Sequence, residues 1–177
     1  MTKFYVYKVL ISGDASVGKT SLLRRYVDGM FDESSIMTVG VDFFLKRVNF
    51  DSGKSGNNCL LQLWDLGGQQ RFRHLMPTYI RGARGALLLI DLTRMPEINH
   101  LLEWVNILRL YDENLPIILV GTKSDLEDLV AFDDKYALKI KKKFNMIDYF
   151  KTSAKTGYNI NEVFNRMAKE LIEKEKD

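Results

Sequence analysis

Gly13, Asp14, Ala15, Ser16, Val17, Gly18, Lys19 and Thr20 fit the phosphate-loop pattern GxxxxGK[ST] at every defined position. Before them runs an apolar stretch, Tyr5 to Ile11, that reads as a buried strand, and after them Ser21 to Val27 reads as a helix. A glycine turn at a strand-to-helix junction is the bland explanation, but the flanking elements are the ones the motif requires. Gly13 and Gly18 let the backbone turn tightly and approach an anion with no side chain in the way. The loop N–H groups, including those of Ala15, Ser16 and Val17, and those of the helix start to Ser21 then face phosphate oxygens, where the helix dipole also favours negative charge. Lys19 adds a full charge near the β/γ-phosphates, and the Thr20 hydroxyl is placed for Mg²⁺.

The 177 residues suit one domain spanning 1–177, since no Pro/Gly/Ser-rich linker divides them. Strand-like runs at Phe4–Ser12, Val41–Phe50, Cys59–Asp65, Gly85–Asp91, Ile117–Gly121 and Ile147–Lys151 alternate with helical segments. That alternation predicts an α/β fold with a mainly parallel sheet covered on both faces. The second and third strands are separated by the turn-rich stretch Asp51 to Asn58, so that pair is expected to be an antiparallel hairpin. Ile160, Val163, Phe164, Met167, Ala168, Leu171 and Ile172 share one face of a final helix, with Asn159 as its expected N-cap. Ile98, Leu101, Leu102, Val105 and Leu108 define an earlier one. A third helix runs from about Asp133 to Phe144, with acids at its start and lysines at its end as the macrodipole prefers. Those lysines read better as a solvated helix end than as a basic docking patch.

A net charge of +3 is too small to argue for nucleic acid or membrane binding. Cys59 is the single cysteine, so no disulfide framework or thiolate cluster is expected, and a cytoplasmic setting is the simplest. No apolar run approaches the roughly 20 residues of a membrane span, and the start lacks a signal peptide's cleavage region. A soluble, monomeric protein is expected.

Further signals lie at predicted strand ends, where open α/β sheets place ligands. Asp65-Leu66-Gly67-Gly68-Gln69 follows the third strand. Asp65 there can hold Mg²⁺ through water, the Gly68 N–H can reach a γ-phosphate, and Gln69 can orient an attacking water. Alone that string is as readily a polar turn; behind a phosphate loop the site reading wins. Gly121-Thr122-Lys123-Ser124-Asp125 follows the fifth. A carboxylate at Asp125 can accept both N1–H and the exocyclic amine of guanine, a donor pair adenine lacks, while the Lys123 stem packs along the base. The turn Thr152-Ser153-Ala154-Lys155 can offer a backbone N–H to guanine O6.

Together with TVGVDFF at Thr38–Phe44, WDLGGQQRFR at Trp64–Arg73, YIRGARG at Tyr79–Gly85 and TSAKTGYNINEVF at Thr152–Phe164, these strings make the chain resemble the Ras-like small GTPases, the Rab group most of all. The resemblance implies a P-loop NTPase G domain of six strands and five helices, and a GTP/GDP switch that hydrolyses GTP slowly. It implies that Lys19 binds β/γ-phosphate and that Thr20, Thr38 and Asp65 serve Mg²⁺. Gly68 would touch the γ-phosphate and Gln69 would position water. Thr122, Lys123, Asp125 and Ser153–Lys155 would read guanine, with Phe31 packed on the base. It further implies exchange factors, GTPase-activating proteins and effectors acting on segments 32–42 and 67–79, and a task in vesicle traffic. Phe43, Trp64 and Tyr79 resemble the aromatic triad through which Rab effectors read the active state. Phe43, alternating with Val41 and Leu45, is equally a strand-packing residue.

The chain also departs from the pattern. Thr122 stands where most relatives have Asn, as in the Rho group's TKxD string, so guanine selectivity through Asp125 is expected with weaker affinity. Ala15 and Ser16 lie where the γ-phosphate meets an incoming arginine, which leaves a non-hydrolysing guanine-nucleotide scaffold as the alternative. Gly67 replaces the usual Rab alanine, as in the Arf group. No cysteine near Asp177 offers a lipid site, so peripheral membrane residence needs a longer tail or a partner.

Overall fold

The computed structural model describes residues 4–34, 36–50 and 57–176. Six strands, β1 (Phe4–Gly13), β2 (Val41–Phe50), β3 (Asn57–Leu66), β4 (Gly85–Asp91), β5 (Ile117–Thr122) and β6 (Asp148–Lys151), form one sheet in the order β2-β3-β1-β4-β5-β6. β2 alone is antiparallel, pairing with β3 from Val41–Leu66 to Phe50–Asn57. Of the expected turn Asp51 to Asn58, residues 51–56 lie outside the described residues, and Asn57 and Asn58 open β3 instead. Every other pairing is parallel. Such neighbours need crossovers, along which lie α1 (Lys19–Asp28), α2 (Met76–Ile80), α3 (Ile98–Leu108) and α4 (Asp134–Lys143), while α5 (Ile160–Lys174) follows the last strand and packs back on the sheet. Short 3₁₀ turns cover Gln70–Leu75 and Glu127–Leu129.

The central strands are apolar on both faces because both are covered. Tyr5, Tyr7, Val9 and Ile11 of β1, Leu87 and Leu89 of β4, and Ile118 and Val120 of β5 pack in one core with α1 and α5. Their alternates Leu10, Ala86, Leu88, Ile90, Ile117 and Leu119 pack in a second core with α2, α3 and α4. All seven apolar residues expected on the face of α5 are buried in the first core. Cys59 is fully buried there, and burial pushes its thiol up to about 11, which leaves it unreactive.

Two local expectations are corrected. Leu102 of α3 is 46% exposed, whereas Trp104 is fully buried. At 100° per residue Leu102 and Trp104 both stand about 80° from the middle of the stripe, on opposite flanks, so spacing does not choose between them; packing of α3 against the second core buries the Trp104 flank. Asn159 occupies the N-cap position of α5 without capping by its side chain: its φ is 56°, left-handed, and its Nδ2 donates 2.9 Å back to the Lys151 carbonyl. Asp133 does cap α4, its carboxylate accepting from the Tyr136 N–H at 2.9 Å. Among the described residues, no helix is long and apolar enough to cross a membrane.

Candidate nucleotide site

The carboxyl ends of β1, β3, β5 and β6 meet at a cleft of about 560 Å³. Its walls include Ala15, Ser16, Gly18, Lys19, Thr20, Ser21, Phe31, Thr38, Gly68, Thr122, Lys123, Asp125, Ala154 and Lys155. Gly13, Val17, Asp65, Gln69 and Ser153 stand behind or beside that wall. The loop from Gly13 to Gly18 leaves β1 through φ 136° at Gly13 and enters α1 through φ 101° at Gly18. A side chain at Gly13 would also strike the Leu89 carbonyl, at 2.5 Å from an added Cβ. Lys19 is 6% exposed and folds back over the loop, its Nζ donating to the Gly13 and Asp14 carbonyls at 2.9 Å each. Burial holds that amine down at about 8, against the raising influence of Asp65 and Asp14.

Beside Lys19 three oxygens converge. The Thr20 and Thr38 hydroxyls lie 2.6 Å apart, and both reach the Asp65 Oδ2, Thr20 at 2.5 Å and Thr38 at 3.4 Å. Asp65 is fully buried, and its Oδ1 has no hydrogen-bond partner. Burial raises its pKa, with the Thr20 hydrogen bond and the Lys19 charge opposing. Thr38 comes from the loop between α1 and β2 and Asp65 from the end of β3. The antiparallel β2–β3 ladder, with Asp42 opposite Asp65, brings them together. Gly68 lies directly against the phosphate loop. A Cβ there would stand 2.5 Å from the Ala15 nitrogen and 2.6 Å from Lys19 Nζ. Gln69 turns elsewhere: its amide nitrogen donates to Met37 Sδ at 2.7 Å, and its oxygen accepts from Arg71 Nε at 2.5 Å.

At the other end of the cleft, Ser153 Oγ donates to Asp125 Oδ1 at 2.6 Å and so fixes the carboxylate. Thr122 donates to the Val17 carbonyl at 2.5 Å, with the Ile90 carbonyl at 3.2 Å. The hydroxyl thus braces the phosphate loop from β5 where the commoner asparagine is absent. Lys123, with φ 62°, donates to the Ser16 carbonyl at 3.1 Å and to Asp91 Oδ2 at 2.6 Å. Lys155 pairs with Glu33 at 3.1 Å, joining the turn after β6 to the loop after α1. Sequence reasoning missed both pairings: Asp91 ended a predicted strand and Glu33 lay within segment 32–42 with no partner assigned, and only the fold brings each to its lysine.

Phe43 stands edge-on to Trp64 at 5.4 Å between centroids, and Tyr79 lies 6.5 Å from Trp64 at 45°. Phe43 remains 45% exposed, so strand packing covers only part of its ring.

Comparison with known proteins agrees with this geometry. Residues 8–173 match the Ras family. Ras-related protein Rab-27A of Homo sapiens is 43% identical over 178 residues, covering 96% of this chain and 80% of that relative. Its Rattus norvegicus counterpart is 42% identical with the same coverage. Ras-related protein Rab-19 of Rattus norvegicus is 39% identical over 171 residues, covering 95% of this chain and 76% of that relative. With its phosphate loop, sheet order and strand-end residues in this arrangement, the chain belongs to the Ras family of small GTPases, guanine-nucleotide switches, as a Rab-like member.

Proposed function

We propose that this chain is a single G domain that binds Mg²⁺·GTP, hydrolyses it slowly, and signals through segments 32–42 and 67–79. The observation that carries this reading is the convergence of Thr20, Thr38 and Asp65 oxygens beside the buried Lys19 amine. Hard oxygen donors around one carboxylate suit Mg²⁺, which is held by one or two carboxylates and substrate phosphates rather than by a cage of acids. The unpartnered Asp65 Oδ1 leaves acceptor capacity there. Thr20 and Thr38 would hold the ion, Asp65 through water; once bound, it neutralises charge on the β/γ-phosphate oxygens.

Lys19 and the N–H groups of Ala15 to Ser21 bind the phosphates, and Gly68 offers its N–H to the γ-phosphate. Gln69, released from Met37 and Arg71, orients the water for in-line attack. Asp125, held by Ser153, accepts from guanine, while Lys123 and Phe31 flank the base and Ala154 and Lys155 cover O6. Turnover without a partner is on the order of 10⁻⁴ per second, and an arginine from an activating protein adds about 10⁵-fold. After hydrolysis Thr38 and Gly68 lose their phosphate contacts, both segments relax, and effectors reading Phe43, Trp64 and Tyr79 let go. An exchange factor then renews the nucleotide.

The test is to identify the nucleotide that copurifies and to follow phosphate release from purified protein loaded with Mg²⁺·GTP. The expected result is bound guanine nucleotide and slow release that Gln69→Leu abolishes. Stable GTP in both wild type and variant would favour the scaffold alternative, in which Ala15 and Ser16 block turnover.

A further inference from the structure

Arg73 lies in the 3₁₀ turn Gln70–Leu75, where Gln70, Arg71, His74 and Leu75 are exposed, yet Arg73 itself is only 6% exposed. Burying a guanidinium is costly unless it is paired, and this one is paired on two sides. Its NH2 donates to Asp14 Oδ1 at 2.6 Å, its NH1 donates to Glu103 Oε2 of α3, and its Cζ lies over the Trp104 ring, 5.0 Å from the centroid. Asp14 belongs to the phosphate loop. Its carboxylate is aimed by α3 as well: Trp104 Nε1 donates to Oδ1 at 3.0 Å, and His100 Nδ1 lies 2.9 Å from Oδ2. The Asp14 backbone carbonyl meanwhile accepts from Lys19.

The segment after β3 therefore meets the phosphate loop at two points. Gly68 packs against Ala15 and Lys19 with no room for a side chain, and Arg73 grips Asp14. Gln69 stands between those points, and its carbonyl accepts from the Phe72 N–H at 3.0 Å to open the turn that carries Arg73. Fixing both ends of a short span restricts where the residue between them can reach.

We propose that Arg73 is a positioning residue for GTP hydrolysis, which holds the 3₁₀ turn on Asp14 so that Gln69 is presented to the γ-phosphate. The inference rests on the hydrolase reading above. Arg73 does not line the cleft and acts through Gln69.

Single-turnover hydrolysis of Mg²⁺·GTP, nucleotide affinity and tryptophan emission test it together. The chain has two tryptophans, so a Trp64→Phe background leaves Trp104 as the reporter beside Arg73. Arg73→Gln is expected to alter Trp104 emission and slow hydrolysis by about 10- to 100-fold, the effect of a misplacement near 1 Å. GTP and GDP affinities should stay within about threefold, because a purely transition-state loss leaves binding intact. Arg73→Lys should recover part of the rate. Asp14→Asn, which weakens the grip from the other side, should match Arg73→Gln, and the double variant should be no slower than either alone. Altered emission with a wild-type rate overturns the inference, as does a parallel fall of rate, affinity and thermal stability, which would mark Arg73 as structural. A wild-type protein that keeps its GTP overturns the hydrolase reading itself and this inference with it.

Discussion

Replacing Gly68 by alanine separates two uses of glycine, backbone freedom and space. The Gly68 backbone lies outside the left-handed region, so alanine adopts its conformation without strain. Space is what it lacks: the new Cβ would stand 2.5 Å from both the Ala15 nitrogen and the Asp14 carbonyl carbon, and 2.6 Å from Lys19 Nζ. Ordinary contact begins near 3.4 Å, so two backbone atoms must retreat by about 0.9 Å. The phosphate loop cannot give that distance, being held between β1 and α1 and braced by Thr122 and Lys123. The segment carrying Gly68 must move instead. Overpacking of this kind costs about 1–3 kcal/mol, which at about 2–4 °C per kcal/mol for this chain length lowers Tm by roughly 2–12 °C. The functional loss should be larger, because a shift of about 1 Å in the residue preceding Gln69 costs on the order of 10²-fold in hydrolysis. Differential scanning fluorimetry and single-turnover phosphate release on nucleotide-loaded protein measure both. A Gly68→Ala variant that hydrolyses GTP within threefold of wild type would refute the close approach.

Thr122→Val keeps the shape of β5 but removes the hydroxyl that braces Val17, and should cost about 1–2 kcal/mol, seen as roughly 5- to 30-fold faster nucleotide dissociation in stopped-flow with a fluorescent GDP. Asp125→Ala should erase at least about tenfold of the preference for GTP over ATP in competition titrations, since the guanine donors lose their shared acceptor. Burial would raise the Asp91 pKa, but the Lys123 and Thr93 hydrogen bonds outweigh it and hold the carboxyl below its ordinary value. A depressed folded pKa adds stability that is present above the unfolded value of about 3.9 and is lost as pH falls through the folded one, so the Tm advantage of wild type over Asp91→Asn should shrink below about pH 4. Leu102→Ala should change stability by no more than about 0.5 kcal/mol in urea unfolding, whereas Leu101→Ala should cost about 2–5 kcal/mol.

What could be read in advance was what sequence spacing encodes. The strands were legible because β1, β4 and β5 are apolar on both faces, and α5 because seven residues repeat on one face. The phosphate loop was legible because positive φ and close backbone approach demand glycine at Gly13. Leu102 was placed on the buried face and Trp104 left off it because a broad apolar count on a short helix leaves its flanking residues undetermined. Asn159 fits a cap by residue type, but whether its amide caps or reaches back to Lys151 depends on how β6 enters the helix. The Asp14–Arg73 pair joins positions 59 residues apart, with no periodicity to betray it. A charged residue inside a polar string looks solvated until the fold places α3 behind it.

The distribution of exposed apolar side chains follows from the same division. Ile36 is 90% exposed, Val39 71%, Met37 51% and Phe43 45%, all between α1 and the middle of β2, while the two cores are closed to solvent. Exposed apolar side chains gathered in one short segment suit the proposed interaction surface. It sits on the segment that Thr38 ties to Thr20 and Asp65 by hydrogen bonds, with Gly40 accepting from the Gly67 N–H at 2.7 Å. On the proposed reading, the bound nucleotide strengthens or releases that attachment without disturbing either core. A few contacts at the γ-phosphate then govern a surface built only from loop and edge strand. On the same reading bistability belongs there, because the central strands β4 and β5, buried on both faces, have no second arrangement to adopt.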